Sequence, residues 1–179
     1  MDSKWKNLFF FAVTIFLSYS LSIKYVSAEI LSASLGVPIS HTISDDTVAE
    51  SDGVSGTFMH AKLPFIPIGL GIESYKTNVK NNSSLKIATT MLDIFYLLPI
   101  PIINLNLGIG TGNVGIDGGS GFKKGSAFQW YTSVGIPILP FFDVHLSYRS
   151  ISAKNTKDQN GDKMNLSGNV TGIGIAFTF

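Results

Sequence analysis

Apolar and polar residues alternate with period two along most of the chain, and the pattern is plainest at the C-terminal end. Ile173, Ile175, Phe177 and Phe179 fall on one face of a strand, and Gly172, Gly174, Ala176 and Thr178 on the other. One face is large and apolar and the other is small. Seven further stretches repeat the alternation. In the first, Leu31, Ala33, Leu35, Val37 and Ile39 oppose Ser32, Ser34, Gly36, Pro38 and Ser40. Others place Thr57 to Phe65 against Phe58, His60 and Lys62, and Ile68, Leu70 and Ile72 against Gly69, Gly71 and Glu73. A fourth, with the least regular pattern, sets Thr90, Leu92, Ile94 and Tyr96 against Thr89, Met91, Asp93 and Phe95. Its register is left open, because Lys86 and Asp93 fall on opposite faces. The remaining three run through 103–110, 128–136 and 142–149. Each is near the roughly 9–11 residues of a tilted strand crossing a bilayer.

The connections alternate as well. Three are short and proline-rich, at 63–67, 98–101 and 137–141, spaced at the scale of a hairpin. Four are expected to be longer polar loops, at about 41–55, 77–84, 112–125 and 152–165. Short turns at one end and long polar loops at the other match the periplasmic and extracellular ends of a transmembrane barrel. A soluble sandwich or lipocalin-like barrel would carry charge on its polar face. Here that face is mostly Gly, Ser, Asn and Thr, small enough to fill a narrow interior.

The N-terminus adds a compartment. Lys4 and Lys6 precede the apolar run Leu8 to Leu17, and Val26-Ser27-Ala28 offers small residues for a signal peptidase. Cleavage is expected after Ala28, giving a signal peptide over 1–28 and a barrel domain over 29–179. The chain has 0 Cys, which removes lipobox, disulfide, thiol-catalytic and zinc-thiolate readings. Cysteine absence also suits an oxidising assembly route. With a formal net charge of +1 and 14% charged residues, no nucleic-acid partner is expected. The run Leu8 to Leu17 is too short to span a bilayer, and no apolar stretch after it has the length of a membrane helix, so a closed barrel is the structure left to satisfy a backbone in lipid.

The fold class expected is therefore all-β, an eight-stranded antiparallel up-and-down transmembrane β-barrel. The C-terminal strand, ending in Phe179, resembles the closing strand of Gram-negative outer-membrane barrels, and Ile175, Phe177 and Phe179 would form its assembly signal. The whole mature chain is similar in architecture to the OmpA/OmpX-type class, and the ending on the eighth strand favours a stand-alone, OmpX-like barrel. That resemblance implies an outer-membrane location and a role in adhesion, envelope interaction or membrane integrity. It also implies outer-membrane lipid, lipopolysaccharide and the barrel-assembly machinery as partners. A monomer with no cofactor and no metal is expected.

The register sends His60, Lys62, Glu73, Asp93, Gln129, Tyr131, Asp143, His145 and Arg149 into the lumen. Opposite charges there should pair, since a lone charge in a low-dielectric interior is costly. A salt-bridged plug is one reading of the network His60, Lys62, Glu73, Asp93, Asp143, His145 and Arg149, and a narrow polar channel is another. A third comes from His145-Leu146-Ser147, where a His and a Ser two apart share a strand face, as base activation of a serine requires. The triplet resembles the His-x-Ser motif of the outer-membrane lipid A deacylases, which implies His145 and Ser147 as catalytic and Asp158 or Asp162 as the carboxylate. Tyr148 follows the serine where that family has Asn, and no Glu follows Glu73.

Two other motifs carry less. Asp158-Gln159-Asn160-Gly161-Asp162 lacks the ligand spacing of a calcium loop and reads as a loop tip. Gly108-Ile109-Gly110-Thr111-Gly112 is followed by no helix pattern and so fails as a phosphate fingerprint. Tyr96, Trp130, Tyr131 and Tyr148 are candidates for aromatic girdles at the membrane surfaces.

Overall fold

A computed structural model describes residues 31–44, 51–63, 66–80, 82–100, 103–139 and 141–178. The expected signal peptide, Asp45-Asp46 and Phe179 lie outside the described residues.

The main strands are β1 (Ser32–Ile43), β2 (Ser51–Lys62), β3 (Ile68–Val79), β4 (Asn82–Ile100), β5 (Ile103–Asp117), β6 (Gly125–Leu139), β7 (Phe142–Ser152) and β10 (Gly168–Thr178). They close into one antiparallel barrel in which each strand pairs with its neighbours in sequence, and β10 closes on β1. A two-residue hairpin, β8 (Thr156–Lys157) with β9 (Lys163–Met164), is inserted between β7 and β10. Closure pairs Ser32 with Thr178 and continues to Ile43 opposite Gly168, with a bulge between Pro38 and Ser40. The β1–β2 ladder is shorter, running from Ser32–Lys62 to Gly36–Phe58.

The alternation has the register expected. Leu70, Ile72, Leu92, Ile94, Leu107, Ile109, Val134, Ile136, Leu146 and Ile173 all point outward and are exposed. In water such a belt would be unfavourable by about 25 cal/mol per Å² of apolar surface; against acyl chains it costs nothing. Tyr96 lies outward near one edge of the belt, and Trp130 and Tyr148 pack together near the other with ring centroids 5.7 Å apart. Tyr131 departs from the girdle expectation: it is buried inside the barrel, because it alternates with Trp130 along β6. At the closing strand, Phe177 points outward and its ring lies 5.2 Å from that of Phe142.

The larger correction concerns the loops. The stretches 41–55, 77–84 and 112–125 were expected to be polar loops, but strands occupy much of each. Between β3 and β4 only residues 80 and 81 remain outside the two strands. The alternation continues there with its polarity reversed. On β3 the outward residues change from Leu70 and Ile72 to Ser74, Lys76 and Asn78, while the inward ones become Tyr75, Thr77 and Val79. On β4 Lys86 and Thr90 face out, and Ile87 and Met91 are fully buried. This also settles the register of β4, with Asp93 inward and Lys86 exposed.

The interior of this upper half is a largely apolar core of Ile43, Phe58, Ile87, Met91, Val114, Ile116, Ile151, Leu166 and Val170, joined by Met164 from β9, with His41 hydrogen-bonded to Thr77 at 2.6 Å beside it. The mostly small, polar inward face expected along the whole barrel is therefore interrupted by this apolar core in the upper half. The two halves face different solvents: lipid selects apolar-out below, and water selects apolar-in above.

A charge scan along β4 tests this division. Leu92, 60% exposed in the belt, should lose about 2–4 kcal/mol of stability on substitution by Arg. The same change at the outward Thr90, one step above, should cost about 0–1 kcal/mol. Urea unfolding in phospholipid vesicles measures both, and equal costs would show that the belt does not end there.

Candidate functional site

The chemistry-bearing side chains meet in the lower and middle lumen, held there by five strands. Glu73 on β3 is the hub. Arg149 on β7 donates through Nε to both its oxygens, at 2.7 and 2.8 Å. Both side chains are buried, Glu73 with no exposed surface at all. From β6, Gln129 donates to Glu73 Oε2 at 3.1 Å and to Asp93 Oδ1 of β4 at 2.6 Å. From β2, His60 Nε2 stands 3.3 Å from Glu73 Oε1 and 3.9 Å from Asp93 Oδ2. His60, Glu73 and Asp93 thus bring one potential metal-ligand atom each within 4.8 Å of the others.

Glycines on neighbouring strands make room for this cluster. A Cβ at Gly71 would overlap the His60 ring, and one at Gly110 would overlap the Asp93 carboxylate. Backbone positions next to the bulky polar groups must therefore carry no side chain. Above the cluster the Arg149 guanidinium lies 3.6 Å from the centroid of the Phe58 ring, a cation–π contact at the boundary between the polar layer and the dry core.

Below the cluster a cavity of about 60 Å³ opens toward the end with the proline-rich turns. Its roof includes His60, Tyr131, Ser147 and Arg149, and its walls include Ser34, Lys62, Asn104, Asn106, Asp143 and His145. Asn104 donates to Asp143 Oδ2 at 2.9 Å, and His145 Nδ1 lies 3.6 Å from Asp143 Oδ1.

No family model and no curated protein matches the chain. Among solved structures, Neisserial surface protein A is similar, with a TM-score of 0.59 at 13% identity over 83% of this chain and 96% of that one. The outer membrane protein W of E. coli aligns at 12% identity with a TM-score of 0.49, over 82% of this chain and 97% of that one. Ail of Yersinia pestis aligns at 13% and 0.46, over 83% and 99%. The chain has the fold of the small eight-stranded outer-membrane barrels.

On that fold the sequence-predicted residues separate into levels. Glu73, Asp93, His60 and Arg149 form the central cluster, and Asp143 and His145 form a second pair nearer the turns, with Lys62 on the same cavity wall. Gln129 had been placed in the lumen by the alternation of β6 but not in the charged network, and it bridges the two carboxylates.

The serine and histidine of the His-x-Ser triplet face inward and engage different partners. Ser147 Oγ accepts from Arg149 at 2.6 Å and donates to the Gly172 carbonyl at 3.2 Å, whereas His145 sits beside Asp143. Asp158 and Asp162 lie at the opposite end, where Asp158 Oδ1 accepts from the Asn160 and Asp162 amides and closes the β8–β9 turn. The structure does not bring His145, Ser147 and Asp162 together. At the upper rim Lys76 and Lys124 flank Asp117 at 3.1 and 3.3 Å. The Lys76 hydrogen bond, aided by Lys124 and opposed by burial, holds the Asp117 carboxyl below the usual carboxylate range.

Removing one member of the Glu73–Arg149 pair leaves a buried charge. Arg149→Met is expected to destabilise the barrel by about 3–5 kcal/mol. Combining it with Glu73→Gln should recover most of that loss. Vesicle-based unfolding compares the three proteins, and a single variant within 1 kcal/mol of wild type would place the stabilising role of Arg149 elsewhere.

Proposed function

We propose that this chain is a bacterial outer-membrane protein acting as a closed structural and surface-interaction barrel, with the long-stranded end turned outward. The observation that carries this reading is the reversal of polarity along the strands. Below it the wall is built for lipid, and above it the same strands stand in water around a dry core. That core lies across the lumen, so the geometry favours a plug over a channel. Among the described residues, extended strands together with the β8–β9 hairpin are then what the cell presents to its surroundings.

The collar's charge indicates the partner class. Eight exposed lysines (Lys76, Lys80, Lys86, Lys123, Lys124, Lys154, Lys157 and Lys163) stand against Asp117, Asp158 and Asp162 among the side chains described there. Lys76 and Lys86 project from the outer wall above the apolar belt, at the level where anionic headgroups lie. Lipopolysaccharide phosphates fit that chemistry, with screened lysine–phosphate pairs worth about 1 kcal/mol each near a charged membrane surface. Delivery by a cleaved signal peptide over 1–28 and insertion by the barrel-assembly machinery through Ile175, Phe177 and Phe179 complete the proposal. The closed barrel offers no free strand edge for pairing with a second copy, which fits a monomer.

Two measurements bear on it. An epitope inserted at Gly161, the exposed tip of the β8–β9 turn, is expected to be reached by antibody on intact cells, while one in the 98–101 turn is reached only after permeabilisation. The opposite labelling would invert the topology. In planar bilayers the wild-type barrel is expected to give no conductance above background. Discrete steps that change with Arg149→Met would make the channel the better reading.

A further inference from the structure

The central cluster crowds two carboxylates, Glu73 and Asp93, with the Arg149 guanidinium and the His60 imidazole in one buried layer. Several of its polar atoms are left unused. Asp93 Oδ2 and His60 Nε2 are buried without a hydrogen-bond partner among the described residues, and so is Gln129 Oε1. The Asp93 side chain has no exposed surface, and its free oxygen is the one facing His60.

We infer that His60 Nε2, Glu73 Oε1 and Asp93 Oδ2 form a binding site for a single divalent transition cation of the zinc class. Three features support it. The donor set is imidazole and carboxylate, which suits zinc and its borderline neighbours better than magnesium or calcium, whose ligands are oxygens. The 3.3 Å from His60 Nε2 to Glu73 Oε1 matches the edge of a tetrahedron with metal bonds of about 2.0–2.1 Å, the 3.9 Å to Asp93 Oδ2 is longer, and all three atoms lie within 4.8 Å of one another. One ion would draw the Asp93 carboxylate inward. Third, the carboxylates are already oriented by outer partners, Arg149 on Glu73 and Gln129 on both, as supporting groups orient ligands in metal sites.

The way in is also present. His60 forms part of the roof of the cavity that opens at the turn end, so an ion arriving from that side meets the imidazole first. The dry core above blocks passage onward. The site is a blind one, loaded and unloaded from a single face. A dication bound there sits between the two carboxylates and screens their repulsion.

The test uses the full folded barrel in detergent, stripped with a chelator and dialysed. Calorimetric titration with zinc chloride is expected to show one saturable site per barrel, with magnesium and calcium failing to compete. His60→Gln and Asp93→Asn should each abolish that isotherm. Gln129→Leu should weaken it by about 10–100-fold, as loss of an orienting partner does. His145→Ala, in the lower pair, should leave it unchanged. Heat-modifiable gel mobility reports whether each variant has folded.

A second readout needs no variant. The chain has 3 His, so ring resonances of the wild-type protein resolve the residue involved. Zinc should shift His60 and leave His41 and His145 in place. Absence of saturable binding by wild type, survival of the isotherm in both ligand variants, or a shift at His145 instead of His60 would each overturn the inference.

Discussion

Lipid offers a strand no hydrogen-bond partner, so every backbone amide and carbonyl within the belt must find one in a neighbouring strand. For eight strands the solution is closure, and here closure is the β1–β10 seam from Ser32–Thr178 to Ile43–Gly168. Once the sheet is closed, the interior width is set, and side chains must fill it. The inward glycines follow from that width. Gly69, Gly71, Gly108, Gly110 and Gly174 lie where a Cβ would overlap Phe95, His60, Tyr131, Asp93 and His145 respectively. Large residues on one strand are thus matched by empty positions on the next. The charged cluster exists because closure both demands filling and excludes water that could otherwise solvate Glu73 or Arg149.

That dependence explains what could be read from the chain and what could not. The order of strands, their faces and the inward direction of Glu73, Asp93 and Arg149 follow from period-two alternation, which is local. The meeting of Glu73 with Arg149 does not, because they are 76 residues apart. Their pairing depends on the stagger between strands around the barrel, which alternation within each strand does not carry. The convergence of His60, Glu73 and Asp93 was invisible for the same reason, since their separations in sequence resemble no metal-ligand spacing.

The misjudged loops have a different origin. Tyr75, Thr77 and Val79 alternate with Ser74, Lys76 and Asn78 as regularly as the residues below them. The signal was present, but a search for apolar residues on the outward face discards it, because above the membrane that face turns to water. Ser, Thr, Lys and Asn on an outward face look like loop composition when the inward face is not considered alongside. The β8–β9 hairpin, with two residues on each side, is too short for any period to register.

Combining the two halves gives the barrel an asymmetry that neither has alone. The upper interior is largely apolar, with the buried His41–Thr77 hydrogen bond set among its apolar side chains, and the lower interior is polar and open at the turns. Arg149 lies at the junction, hydrogen-bonded to Glu73 and Ser147 within the polar layer and stacked on Phe58 at the edge of the dry core. A solute in the lower cavity can reach the charged cluster but faces a steep desolvation barrier beyond it, since the next layer offers Phe58, Met91 and Val170 and few polar groups. Anything the lumen binds therefore comes from, and returns to, the side with the proline-rich turns. Anything the outer collar binds makes contact without passing through the barrel. The dry core keeps the two surfaces chemically separate while one continuous sheet joins them mechanically.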